Sequence, residues 1–502
     1  MTAKALPARP NLEQYKKQAK ELREAWKARD AAALARIREH HPRLSVSSEG
    51  DLQRARFTLA DAQFVVARQH GFDSWPKFAA HIKSMGGEVP SSEIWQRAER
   101  AVVEGDASTL DALLRDHGGM LRTGPVQSTW WGGLAPDYSK GDARAIIARE
   151  HRFDRWDQFA GFVEALSDRS SPVAQFEAAV DAVVRGDEAT LERLIQTSPD
   201  LIRARSTRKH RSALLHYVGA NGVEGFRQRT PKNAVKIAEI LLNAGADVDA
   251  TADMYGGSDT LGLVATSIHP VTAGVQEELL AFLLARGASV GTAKGTEAWS
   301  SLINGCHANG RGQAAKFLAE RAPALDLEAA AGAGRLEVVR TFFTPNGNLS
   351  DTATAQQMKD GFTWACEFGR TEVVDFLLQR GMDVTAKLRH HGQTGLHWAA
   401  YGGHPDTVRL LLQRQAPVDA RDDAFGGTPL GWALYAWAGG DPHSDSDSYY
   451  DVVNLLVGAG GTVEQEWLAE AERGLPIARK IGEDVRMRVA LGERHQDGHD
   501  SK

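Results

Sequence analysis

Residues Gln393–Asp422 read QTGLHWAAYGGHPDTVRLLLQRQAPVDARD, and this stretch decides the fold. Leu396, Ala399 and Ala400 recur at i, i+3 and i+4, the spacing of one buried helical stripe. Gly402-Gly403 ends that helix, because glycine accepts the positive φ of a helix exit. Thr407–Gln413 forms a second, leucine-rich helix, and Ala416–Asp422 reads as an extended turn into the next unit.

TGLHWAAYGGH resembles the TPLHxAAxxGH of the ankyrin repeat, and LLLQRQAPVDARD resembles its LLLxxGADVNAxD. The resemblance implies two antiparallel helices and a hairpin finger per unit, stacked into an all-α solenoid. It also implies a binding scaffold that takes a protein or peptide, with no cofactor.

Outward from this unit the pattern repeats. Gly369 and Gly403 stand 34 residues apart, as do Thr394 and Thr428-Pro-Leu430. Only 24 residues separate Gly310 from Gly334, so a finger is missing there. Ser212-Ala-Leu-Leu-His216 resembles the TPLH start, and Leu241–Asp249 closes that unit in family style. The array spans 171–463, with a degenerate pair at Gln175–Arg205 stacking on the first clear repeat. Residues 464–502 form a charged capping helix, Glu464–Val489, and a polar tail expected to be disordered.

Two modules precede the array, at 1–88 and 89–170. Asn11 opens an amphipathic helix with Gln14 in a capping-box-like start. Helix pairs also read at Ile94–His117 and Gln175–Thr197. Between them Leu59–Ile82 matches Lys140–Val163 at a fixed offset, Trp156 − Trp75 = 81. Trp75 with Phe78, and Trp156 with Phe159, fall at i, i+3 and should pack onto the preceding helix. Such modules resemble those in front of bacterial ankyrin repeat proteins of unassigned function.

A formal net charge of -6 over 502 residues gives no electrostatic footprint for nucleic acid. The amino terminus lacks a signal-peptide core, and no run approaches the ~18 apolar residues of a membrane helix. Cys306 and Cys366 align with the small core positions of a first helix and read as buried structural thiols. These features predict a cytoplasmic monomer.

Four sets of residues are candidates for chemistry. Trp364, Trp398 and Trp432 recur every 34 residues opposite the buried stripe, with Glu367, Tyr401 and Tyr435 one turn on. The resemblance puts this face on the concave surface, where the row reads as an aromatic-lined groove. Packing across the gap between neighbouring helices is the alternative. A second set comes from insertions at Val223–Lys232 and Ser267–Gly274, expected side by side. They could bring Glu224, Arg227, Arg229, Lys232 and His269 over Tyr217, beside the finger Met254-Tyr255-Gly256-Gly257, as in a small-molecule pocket. Third, Glu367 among aromatic rings is a candidate acid or base for a sugar-like or other polar cyclic substrate, with Asp441 or Glu224 as its second carboxylate. Fourth, His390, His391, His397 and His404 form a cluster whose spacing fits no metal site, so no metal is assigned. His397 and His216 occupy the histidine place of the repeat, which hydrogen-bonds between units. The Trp130-Trp131-Gly132-Gly133 segment would close the groove if the modules fold back.

Overall fold

The computed structural model describes residues 12–41, 44, 57–72, 74–75, 77–78, 91–123, 136–290, 296–439, 446–462 and 476–492. They form two compact units, Met1–Leu121 and Arg122–Lys502. The first unit holds the helices Leu12–Lys27, Ala31–His40, Leu59–Gln69 and Ser91–Glu104. Its duplicated segment packs as its spacing predicts, with Phe78 buried between Trp75 and His70, ring centroids 5.6 and 5.3 Å away.

The second unit is an all-α ankyrin-type solenoid, in which the amino-terminal helix Pro172–Arg185 and its partner Glu188–Thr197 share one continuous apolar core with every later repeat. Ser171 and Asp187 cap these two helices, and Gly186 at φ +72 makes the turn between them. Strand is confined, among the described residues, to the finger pair Thr251–Ala252 and Ser258–Asp259 and one bridge, Phe343 to Leu349.

The repeat carries two polar staples. In one, His216 Nε2 donates to Ala250 O at 2.8 Å and His397 Nε2 to Gly427 O at 3.1 Å, each reaching forward to the next finger. Their Nδ1 atoms accept the Ala213 and Thr394 amides, which fixes the tautomer. In the other, the residue after the left-handed glycine reaches backward. Arg370 donates to Gly332 O at 3.1 Å, and His404 to Glu367 O at 2.8 Å. These bonds satisfy buried backbone groups that an apolar interface would orphan.

Three elements depart from the expected pattern. The first helix of the repeat at Ser212 is reduced to a 3-10 turn, Leu214–Val218, and the insertion follows directly. The expected helix at Ser108–His117 runs on to Thr123 past a break at His117. The carboxyl-terminal cap is two helices, Pro476–Glu483 and Val485–Ala490, restarted by Asp484 as N-cap. Ile481, Met487 and Ala490 enter the array's core, and Lys480 lies 4.6 Å from the Trp437 ring. Asn11, the Trp130-Trp131 segment, Asp441, residues 464–475 and the tail from 493 lie outside the described residues.

Candidate functional site

The helices Ala355–Glu367, Gly395–Tyr401 and Pro429–Gly439 stack in order, and their apolar stripe is complete: Leu396, Ala399, Ala400, Leu430, Ala433 and Leu434 are fully buried. The tryptophans opposite that stripe do not form the open strip expected. Trp364 is 2% exposed and Trp398 7%. An indole is long enough to cross the gap to the neighbouring first helix, so each ring fills that gap. Trp398 and Trp432 meet edge to face at 5.6 Å, and Tyr401 stands 6.2 and 5.6 Å from them.

Around Trp364 the wall is charged. Its Nε1 donates to Glu328 Oε1 at 2.9 Å. Arg389, from the finger before Gln393, lays its guanidinium 4.7 Å from the ring centroid, donates to Glu328 at 3.2 Å and lies 3.8 Å from Asp360. Glu328, Asp360 and Arg389 carry no motif, and only the stacking of repeats brings residues so far apart in sequence together.

What stays open lies one repeat on. Tyr435 is 53% exposed and Phe425 at the next finger 81% exposed, while Tyr401 and Trp432 are half-buried. The finger is tied around one carboxylate: Asp422 accepts the amides of Ala424, Phe425 and Gly427 at 2.9, 2.7 and 2.9 Å and the Trp432 indole N–H at 3.0 Å. A Cβ on Gly427 would sit 2.9 Å from both Asp422 and Trp432, so glycine is required there. Phe425 was legible in outline. Its Phe-Gly-Gly matches the Tyr255-Gly-Gly of an earlier finger, and Tyr255 also stands exposed, its hydroxyl donating to Asn221 at 3.2 Å.

Glu367 has one carboxylate oxygen, Oε2, buried without a hydrogen-bond partner. Burial pushes its pKa up to about 8, opposed by the nearby charge of Arg389. The described structure gives it neither suggested partner. Glu224 is committed elsewhere, and Asp441 lies outside the described residues.

Two of the insertion residues, Glu224 and Arg227, join a buried ion network, while Arg229 and Lys232 stay exposed. Glu224 is 0% exposed and pairs with Arg208, which also pairs with Glu177; Arg227 pairs with Glu177 and lies 3.0 Å from Asp181. Although burial alone would raise the Glu224 pKa, its hydrogen bond to His210 and the charges of Arg208 and Arg227 hold it down to about 2. Tyr217, expected as a pocket wall, is wholly buried with its hydroxyl 3.4 Å from Glu224. Arg208 also lies 4.4 Å from the Phe162 ring of the Trp156–Ser167 helix. The loop thus turns inward, because an ion network closed on itself tolerates burial that lone charges do not. His269 sits apart from this network in its own short helical turn, His269–Thr272, half-buried and pushed down to about 4 by burial and by Arg311.

His216, His397 and His404 serve the staples, and the side chains of His390 and His391 are outside the described set. Cys306 and Cys366 are free and buried, and burial raises both thiols, Cys306 to about 12. No helix among the described residues is long and apolar enough to cross a membrane.

No curated protein matches the chain. The family model for ankyrin repeats matches residues 362–465 in three copies, the stretch that contains Trp364, Trp398, Phe425, Trp432 and Tyr435.

Proposed function

We propose that the chain is a cytoplasmic binding scaffold that takes a protein or peptide on the first-helix face of its carboxyl-terminal repeats. Ankyrin repeats are protein-interaction modules, and the supporting observation is the exposure of Phe425 and Tyr435 in the same pair of repeats that carries the half-buried rings of Tyr401 and Trp432. Large aromatic rings held rigidly beside apolar surface are the usual anchors of an interface. Two free, buried thiols accord with a reducing compartment. The test is a pull-down with the double variant F425A/Y435A beside the wild type. Both residues are exposed, so folding should be unchanged within about 0.5 kcal/mol. Loss of specific partners is expected, and identical partner sets would overturn the proposal.

A second reading rests on Glu367. A half-buried carboxyl with one oxygen lacking a hydrogen-bond partner, raised to about 8, suits an acid or base acting on a small polar cyclic substrate. Under this reading a small-molecule thermal-shift screen yields a ligand whose effect E367Q abolishes; unchanged shifts in E367Q would remove it.

A further inference from the structure

Where the second tryptophan-bearing segment meets the first repeat, the protein forms a half-open pocket of about 380 Å³, at the small end of the roughly 300–1,000 Å³ typical of ligand sites. Its lining includes Arg152, Arg208, Lys209 and Arg211, with Asp154 as the sole carboxylate among the lining residues. Arg208 belongs to the buried network, where Glu177 and Glu224 already balance it. Lys209 meets Asp154 at 2.7 Å, with both side chains exposed. Arg152 gives its guanidinium to a neutral acceptor, Val223 O, at 3.1 Å. No ion pair engages Arg211 among the described residues. Arg152 and Arg211 thus leave positive charge at the pocket that no carboxylate among the described residues pairs with.

One further observation points to a built site. Arg152 and Arg211 both hold left-handed backbone, φ +65 and +51. In the first copy of the duplicated segment the place of Arg152 is taken by Gly71, at φ +84. A side chain there costs about 1–2 kcal/mol that glycine avoids, and the second copy keeps arginine nonetheless. On the cavity wall stands Gly161, inside a helix, and a Cβ built on it meets nothing within 4 Å. Gly161 is exposed on that helix, so the pocket opens to solvent on this side.

We propose that this cavity binds a small oxyanion, a phosphate or carboxylate group carried on a compact molecule, between Arg152, Lys209 and Arg211. Guanidinium forks suit either group, since both offer paired oxygens in one plane. Because the lining comes from both the Trp156–Ser167 helix and the Thr207–Arg211 loop, the bound anion ties the two together and raises the stability of the full chain.

The experiment is calorimetric titration and thermal melting of the full chain with inorganic phosphate and with citrate, each against sodium chloride at matched ionic strength. Binding by either oxyanion and not by chloride is expected, and which one binds identifies the group. The double variant K209Q/R211Q should bind at least tenfold more weakly. G161L, which fills the cavity and favours the helix, should fold normally and lose binding. Neither oxyanion binding at millimolar concentration, chloride acting as well, or affinity unchanged in both variants would each overturn the proposal.

Discussion

The ion network at Glu177, Arg208, Glu224 and Arg227 and the aromatic wall at Trp364, Trp398 and Trp432 occupy comparable places, each between one helical unit and the next. One is built from charges, the other from rings, and sequence pattern alone marks both as binding surface. The difference lies in what each leaves uncovered. The charges close on one another and are nearly all buried, whereas the rings overlap like tiles and leave the last of the row, Tyr435, in water. An irregular loop in a solenoid can therefore be mortar, while a regular feature carries the open surface.

The largest effect that would break this comparison is at Glu224. E224Q leaves the buried Arg208 and His210 short of a negative partner and should cost about 3–5 kcal/mol in denaturant unfolding of the full chain. A loss under about 1 kcal/mol would mean the network is not a core element. At the aromatic wall, W364F keeps the ring but removes the donor to Glu328, a charge-assisted bond; about 1.5–2 kcal/mol should be lost, with Y435A near zero. Equal losses in the two variants would erase the distinction between covered and open rings.

pH sharpens the contrast between staple and wall. Burial holds His216 and His404 down to about 4, below their ordinary 6.5, so the unfolded chain binds protons the folded chain refuses. Their contribution is complete above about pH 6.5 and falls as pH drops toward 4. Glu367 acts oppositely: its folded pKa of about 8 lies above the ordinary 4.5, so its contribution is complete below 4.5 and is lost as pH rises through 8. Melting temperature should peak near pH 6.5, and E367Q should remove the decline on the alkaline side. Parallel curves for the wild type and E367Q between pH 6.5 and 8.5 would contradict the burial of that carboxyl. The smallest effect is R152G, where relief of the left-handed backbone offsets loss of the bonds to Val223 O; stability should shift by less than about 0.5 kcal/mol.

The stacking fold was legible because its determinants are local: the Leu396, Ala399, Ala400 stripe, the left-handed glycines and the histidine that makes the staple each fall at a fixed place in one 34-residue unit. The site was legible only in part. Helical periodicity places Trp364 and Trp398 opposite the core stripe, but a second surface buries them, and that surface belongs to neighbouring repeats, before Trp364 and after Trp398. The direction taken by Val223–Lys232 depends on Arg208 and Glu177, whose places in the sequence say nothing of their meeting. Phe425 sits at a finger tip with no periodicity, and its one sequence signal is the Phe-Gly-Gly it shares in outline with Tyr255-Gly256-Gly257.

The staples also bear on whether the units are interchangeable. His404 reaches back to Glu367 O, and His397 reaches forward to Gly427 O, so one repeat holds hands on both sides. Excising Thr394–Gly427 would move Ala438 into the place of His404, and an alanine side chain has nothing to offer the Glu367 carbonyl. The last repeat instead lends its own Trp437 carbonyl to Lys480 of the terminal helices, at 2.8 Å. The array is thus directional, with an interior vocabulary and a closing one. Shuffling its units by recombination would preserve the helices and orphan the bonds between them, so its length is heritable only in blocks that carry both hands.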